Sequence, residues 1–160
     1  MDAHDLQILQ LIQSDNRRSA AEIGQEVGLS VSAVSDRLRR LNASGGIMAN
    51  RAVVNPASVG VALCAFIFVD LEPRADERLF ADSLRTFAQV QEAHHITGPH
   101  SWLLKVRVQD TASLQRFMSE QLKPIPGVLR TETMIGLAAA KETTELAFAI
   151  APPAVGESAP

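Results

Sequence analysis

The chain has 160 residues, 46% of them hydrophobic, with 15 Lys and Arg against 18 Asp and Glu for a net charge of −3. That is room for one medium or two small globular domains, and it carries no bulk cationic signal for nucleic acid. A lone cysteine, Cys64, excludes an internal disulfide; no apolar run approaches the roughly 18 residues of a membrane helix and no signal peptide is evident, so the expectation is a cytoplasmic protein with no membrane partner.

The first predicted helix starts at Asp2, which can cap it, with Asp5 in its first turn where the helix dipole favours a negative charge. Leu6, Leu9 and Ile12 or Gln13 are expected to face inward, with Ile8 and Leu11 beside them. From Ser19 to Leu41 the pattern is two short helices joined by a Gly-containing turn, the sequence form of a helix-turn-helix. Ser19 and Glu22 form a capping box, Ile23 and Val27 share a face, Gly28 supplies the turn, and Ser30 is the N-cap of the next helix. Within that helix Val34, Leu38 and Leu41 make one buried stripe. At about 100° per residue, Ser32, Asp36, Arg39 and Arg40 fall opposite it, with Ser35 and Arg37 on the flanks.

Hydroxyls near a helix start and guanidiniums further along suit base edges and phosphates respectively. The predicted DNA-facing set is Ser30, Ser32, Ala33, Ser35, Arg37, Arg39 and Arg40. The plainer alternative is a solvated surface on which Asp36 pairs with Arg40. Gly45-Gly46 closes the helix, and Ile47 to Val54 reads as extended or hairpin, which makes the module winged and brings Asn50 and Arg51 to the DNA backbone. Residues 1–51 hold six basic and six acidic side chains and are therefore neutral. Such a module binds weakly alone, since affinity comes largely from counterion release at phosphates, so function requires at least a dimer.

After a hinge at 52–62 the period changes. Leu63 to Leu71 is a nearly continuous apolar run, as for a strand buried on both faces. A helix follows over 76–87, with Leu79, Phe80, Leu84 and Phe87 at helical spacing. Val90 to Ile96 and Trp102 to Val108 are strands separated by a turn, Asp110 or Thr111 caps a second helix, and Val128 to Leu137 is a last strand. Strand, helix, strand, strand, helix, strand is the ferredoxin-like βαββαβ order, an α+β fold with helices on one face of an antiparallel sheet. The other face needs a cover, and a second copy of the chain is the expected one. This domain is expected to span 63–148, followed by a disordered Pro- and Ala-rich tail at 149–160.

A winged helix-turn-helix followed by a ferredoxin-like half of this size resembles the Lrp/AsnC (leucine-responsive, feast/famine) family of transcription regulators. The resemblance rests on Asp2 and Asp5 before Ile8-Leu9, the Gly28-Leu29-Ser30 turn, Arg37-Leu38-Arg39-Arg40-Leu41, Gly46-Ile47 and Asn55-Pro56. In the second half it rests on Leu103-Leu104-Lys105, Pro126-Gly127-Val128 and Thr131 to Ile135. It implies a sequence-specific regulator of operator DNA, dimeric through the second domain and assembled further into tetramers, octamers or larger. It also implies no catalysis and no cofactor, and an amino acid or related small molecule bound between dimers.

The effector site implied by the resemblance comprises Gly98, Pro99, His100, Ser101 and Trp102, with Thr133, Met134 and Ile135 of a neighbour. Here the chain departs from the family, which usually has an acid where Ser101 stands. A hydroxyl lacks the charge assistance a carboxylate gives an ammonium, which predicts weak binding of small amino acids. Trp102 is either a ligand contact or a strand residue packed in the sheet, the latter being favoured, and His100 is either a pH-sensitive contact or a solvated loop histidine. His94, His95 and His100 invite a metal reading, but adjacent strand residues point to opposite faces and no Cys or acid completes a zinc set, so no metal site is expected. Two other functions share the architecture: a sirohaem decarboxylase-type enzyme using His and Arg around a tetrapyrrole, and an oligomeric adaptor that does not bind DNA.

Overall fold

The computed structural model describes residues 1–148; the tail expected at 149–160 lies outside them. The chain divides into two compact units, Met1–Ala52 with the C-terminal segment from Glu142, and Val53–Lys141.

The first unit is built from α1 (Ala3–Ser14), α2 (Ala20–Val27) and α3 (Val31–Ala43). Each starts on a cap read from the sequence. Asp2 and Asp5 form a reciprocal capping box, as do Ser19 and Glu22, and Ser30 accepts the Ala33 N–H. The core is Ile8, Ile23, Val34 and Leu41, with Leu9, Leu11, Ile12, Leu38 and Ile47 packed against it. Ile8, not Leu6, is thus the centre of the inward face of α1. The apolar stripe of α1 is so broad that spacing alone does not fix its midline. Gln13 exchanges two 2.9 Å hydrogen bonds with the backbone of Leu146, so 142–148 joins this unit and not the sheet. The second unit therefore ends before the expected boundary at 148.

No strand forms between Ala43 and Leu63. The expected wing at Ile47 to Val54 is unpaired, tied back by the Ile47 N–H to the Leu41 carbonyl at 3.1 Å, and a short 3-10 turn spans Pro56–Val59.

The second unit contains β1 (Leu63–Leu71), α4 (Glu77–Thr86), β2 (Val90–His95), β3 (Trp102–Val108), α5 (Thr111–Arg116) and β4 (Val128–Gly136). The last turns of α5 widen into a π-helix at Phe117–Leu122. The sheet is antiparallel with order β2-β3-β1-β4, the ferredoxin-like arrangement. Ala65, Ile67 and Val69 of β1 and Trp102, Leu104, Val106 and Val108 of β3 point toward the helices and meet Phe80, Leu84, Leu114 and Phe117. Alternation leaves Phe66, Phe68 and Asp70 on the opposite face, with Leu103 and Lys105 of β3 and Glu132 and Met134 of β4. Within one chain β1 is therefore buried on one face only, and Phe66 and Met134 keep 38% and 51% of their surface exposed.

Candidate DNA interface and effector loop

Two regions hold the predicted site residues. In the first, the turn between α2 and α3 is tight. Gly28 takes φ +72°, and a Cβ on Gly24 would lie 2.5 Å from the Leu29 carbonyl oxygen. Nothing local in the sequence marks position 24 as needing glycine, because the contact is made only once the turn has closed. On α3, Ser30 caps the helix and its hydroxyl lies 3.1 Å from that of Ser32. Ser35 donates back to the Val31 carbonyl at 2.8 Å, which occupies its hydroxyl hydrogen. Asp36 pairs with Arg39 at 2.7 Å, not with the Arg40 that the solvated-surface alternative would have it meet. Arg40 is exposed and its side chain makes no hydrogen bond or ion pair among the described residues; Arg51 is exposed in the unpaired segment.

Arg37 departs from the predicted set. Its Nη1 donates to both oxygens of Asp2 at 2.8 and 2.7 Å and to Asp5 at 2.7 Å, and its side chain is only 19% exposed. The hydrogen bond from Arg37, with that from the Asp5 backbone, lowers the Asp2 carboxyl to about 2. For Asp5, burial works to raise the carboxyl, but the bonds from Arg37 and the Asp2 backbone outweigh it and the net shift is downward. Hydrogen bonds to Asp2 and Asp5 raise Arg37. Arg37 in this structure clamps α3 to the start of α1.

In the second unit the loop between β2 and β3 turns on Gly98 at φ +124°. His100 is not a solvated loop side chain. It is 15% exposed, its ring lies 4.8 Å from that of Phe68, and its Nδ1 sits 3.1 and 3.2 Å from the two Asp70 oxygens. Its Nε2 is 3.8 Å from Glu132, which is itself bound by Arg130 at 3.2 Å. The Ser101 N–H also donates to Asp70, at 3.3 Å.

Trp102 faces the core, edge-on to Phe80 with ring centroids 5.3 Å apart and stacked with His95 at 5.1 Å. Its Nε1 is buried without a hydrogen-bond partner among the described residues. Thr133 and Ile135 stand opposite Ile67 and Ala65, while Met134 stands opposite Phe66, so these three predicted residues do not share a face of the sheet. The three histidines go separate ways, His94 to Glu92, His95 to Trp102 and His100 to Asp70, and among the described residues no group of His, Cys, Asp or Glu is disposed to hold a metal ion. No helix among them is long and apolar enough to cross a membrane.

Comparison with known proteins decides the ancestry. Residues 64–146 match the Lrp/AsnC ligand binding domain, and residues 1–42 match the AsnC-type helix-turn-helix domain. The chain belongs to the Lrp/AsnC family.

This Lrp/AsnC chain is 36% identical over 145 residues to the proline dehydrogenase transcriptional activator of Rhizobium radiobacter, covering 89% of the chain and 93% of the relative. It is 31% identical to the leucine-responsive regulatory protein of Escherichia coli K12, covering 91% and 90%. Among solved structures it resembles a transcriptional regulator of Neisseria meningitidis in complex with L-methionine, with a TM-score of 0.87, 30% identity and coverage of 92% and 96%. It also resembles the feast or famine regulatory protein of M. tuberculosis complexed with L-methionine, with a TM-score of 0.84, 28% identity and coverage of 91% and 97%. Like these Lrp/AsnC relatives, the chain is a DNA-binding transcriptional regulator.

Proposed function

We propose that this Lrp/AsnC regulator reads an operator with the exposed face of α3, acting as a dimer or higher oligomer in the cytoplasm, and that an amino acid bound near the β2–β3 loop modulates it. The observation that carries the DNA reading is the outer face of α3, where Ser32, Arg39 and Arg40 stand exposed opposite the buried Val34 and Leu41. Ser30, Ala33 and Ser35 flank that face, and Arg51 supplies a further backbone contact. Residues 1–51 read the DNA, 52–62 serve as the hinge, and the sheet unit carries effector binding and assembly. The effector reading is supported by the L-methionine carried by two solved relatives of the same fold. Assembly is supported by the half-exposed apolar sheet face of Phe66 and Met134. No catalytic role is proposed.

The test is Arg39→Ala/Arg40→Ala in the full chain. If the two arginines hold phosphates, binding weakens alike for all sequences and the slope of log affinity against log salt flattens by about 1 to 2 per bound unit. Ser32→Ala is expected to change sequence preference as well, as a base-facing group should. Gel shift or fluorescence anisotropy across a salt series reads both. Unchanged binding by the double variant overturns the assignment.

A further inference from the structure

The carboxylate missing from the effector loop stands across the strand pair. No Asp or Glu occurs between Ile96 and Ser101. β1 and β3 run antiparallel with Val69 opposite Trp102, so one step outward Asp70 comes beside Ser101, on the sheet face away from the helices. The contact is direct, since the Ser101 N–H donates to Asp70 Oδ1 at 3.3 Å. Asp70 is anchored there by His100 Nδ1 while its side chain keeps 20% exposure. An acid at 101 and an acid at 70 would therefore project into the same space from neighbouring strands.

We propose that Asp70 is the residue that takes the ammonium group of an amino-acid ligand at this loop. The inference rests on the effector reading above and identifies the charge that reading leaves missing. An ionised carboxylate offers about four acceptor positions, and the bonds from Ser101 and His100 do not exhaust them. A charge-assisted N–H···O⁻ bond is about twice as strong as a neutral one, so the group that meets an ammonium governs affinity more than a hydroxyl at 101 can. Glu132 is the other nearby carboxylate, but it lies beyond His100 and is engaged by Arg130.

Ser101→Asp alone would set two carboxylates opposite each other across the strands, an unfavourable pair. The informative variant is the exchange, Asp70→Ser/Ser101→Asp, which returns the acid to the loop without doubling it.

The twenty L-amino acids are screened against the full chain by thermal shift, and the one giving the largest shift is titrated by calorimetry. Asp70→Asn keeps the shape and the acceptor for the Ser101 N–H. It is expected to weaken binding by about tenfold to a hundredfold, the equivalent of one hydrogen bond to a charged group. The exchanged double variant is expected to bind within about threefold of wild type, and the ligand's deaminated analogue to bind wild type and Asp70→Asn equally. Asp70→Asn binding as tightly as wild type overturns the proposal. Ser101→Arg separates the two levels. If it abolishes binding while Asp70→Asn does not, the loop binds the ligand and Asp70 is not its acid. If neither variant changes binding, or no amino acid binds wild type, the effector reading and the Asp70 assignment fall together.

Discussion

Asp2 and Asp5 cap α1 and at the same time hold the Arg37 guanidinium of α3, so two acids three residues apart and a cation more than thirty residues along the chain meet at one ion cluster. Asp2 titrates near 2 when folded, and Asp5 is lowered as well, both through bonds from Arg37 and each other's backbone. A carboxyl depressed by folding contributes stability that is present above its unfolded value and lost as pH falls through the folded one. The helical unit is therefore expected to lose protection between about pH 4 and pH 2. Hydrogen exchange of α1 and α3 amides checks this, and Asp2→Asn/Asp5→Asn should show a shallower loss over that window. Arg37→Ala should destabilise the same helices at neutral pH by leaving the half-buried Asp5 without its cation. A second residue-scale outcome concerns Gly24. Alanine there would press on the Leu29 carbonyl, a backbone atom in a closed turn that cannot swing aside, so Gly24→Ala is expected to cost about 1 to 3 kcal/mol in urea unfolding followed by far-UV circular dichroism. Gly28→Asn, at φ +72° with open space around it, should cost much less because asparagine tolerates the left-handed region.

At the scale of elements, what was legible in the sequence was local. The caps at Asp2, Ser19, Ser30 and Asp110 are satisfied within three residues, and the structure places each helix start on them. β1 and β3 begin and end where the period-two and apolar runs do, because burial and turn chemistry act over the same few residues. What was not legible depended on register or on two elements meeting. Arg37 looks like any flank residue of a DNA-reading helix until α1 is packed beside it. Asp70 reads as the polar end of an apolar strand until Val69 is paired with Trp102, which makes it the neighbour of Ser101. His100, in a Gly- and Pro-containing loop, has the composition of a solvated turn, but it is drawn against Phe68 and Asp70 by the same pairing. The wing shows the opposite limit. Ile47 to Val54 has strand-like residues but no partner strand follows, and extended propensity without a ladder leaves the segment unpaired.

At the scale of the molecule, the charge balance constrains how the regulator must work. Residues 1–51, proposed to read the DNA, are neutral, and on α3 two of the three arginines already face carboxylates, Arg37 those of α1 and Arg39 that of Asp36. One copy therefore has few cations with which to displace counterions, and its affinity as a single head is expected to be low. Joining two heads makes the second contact intramolecular, and avidity of this kind multiplies affinity by about 10² or more with no new contact. The sheet face that would join them is centred on Phe66, which stands between Lys105 and Met134 in the register and is 38% exposed in the single chain. Phe66→Asp places a charge at the middle of that face, where pairing of two copies would bury it beside only Lys105, whose ammonium already serves Glu92 at 3.3 Å, at a cost of several kcal/mol. The expected outcome in sedimentation is a shift from dimer or larger species to monomer. Operator affinity should fall by about two orders of magnitude in the same variant, with α3 unchanged. Residual binding should show the salt slope of one head, about half that of wild type, because only one set of phosphate contacts remains. A monomeric variant that keeps full affinity would mean that a single copy supplies all the contacts, and a dimeric one would move the interface off this face of the sheet.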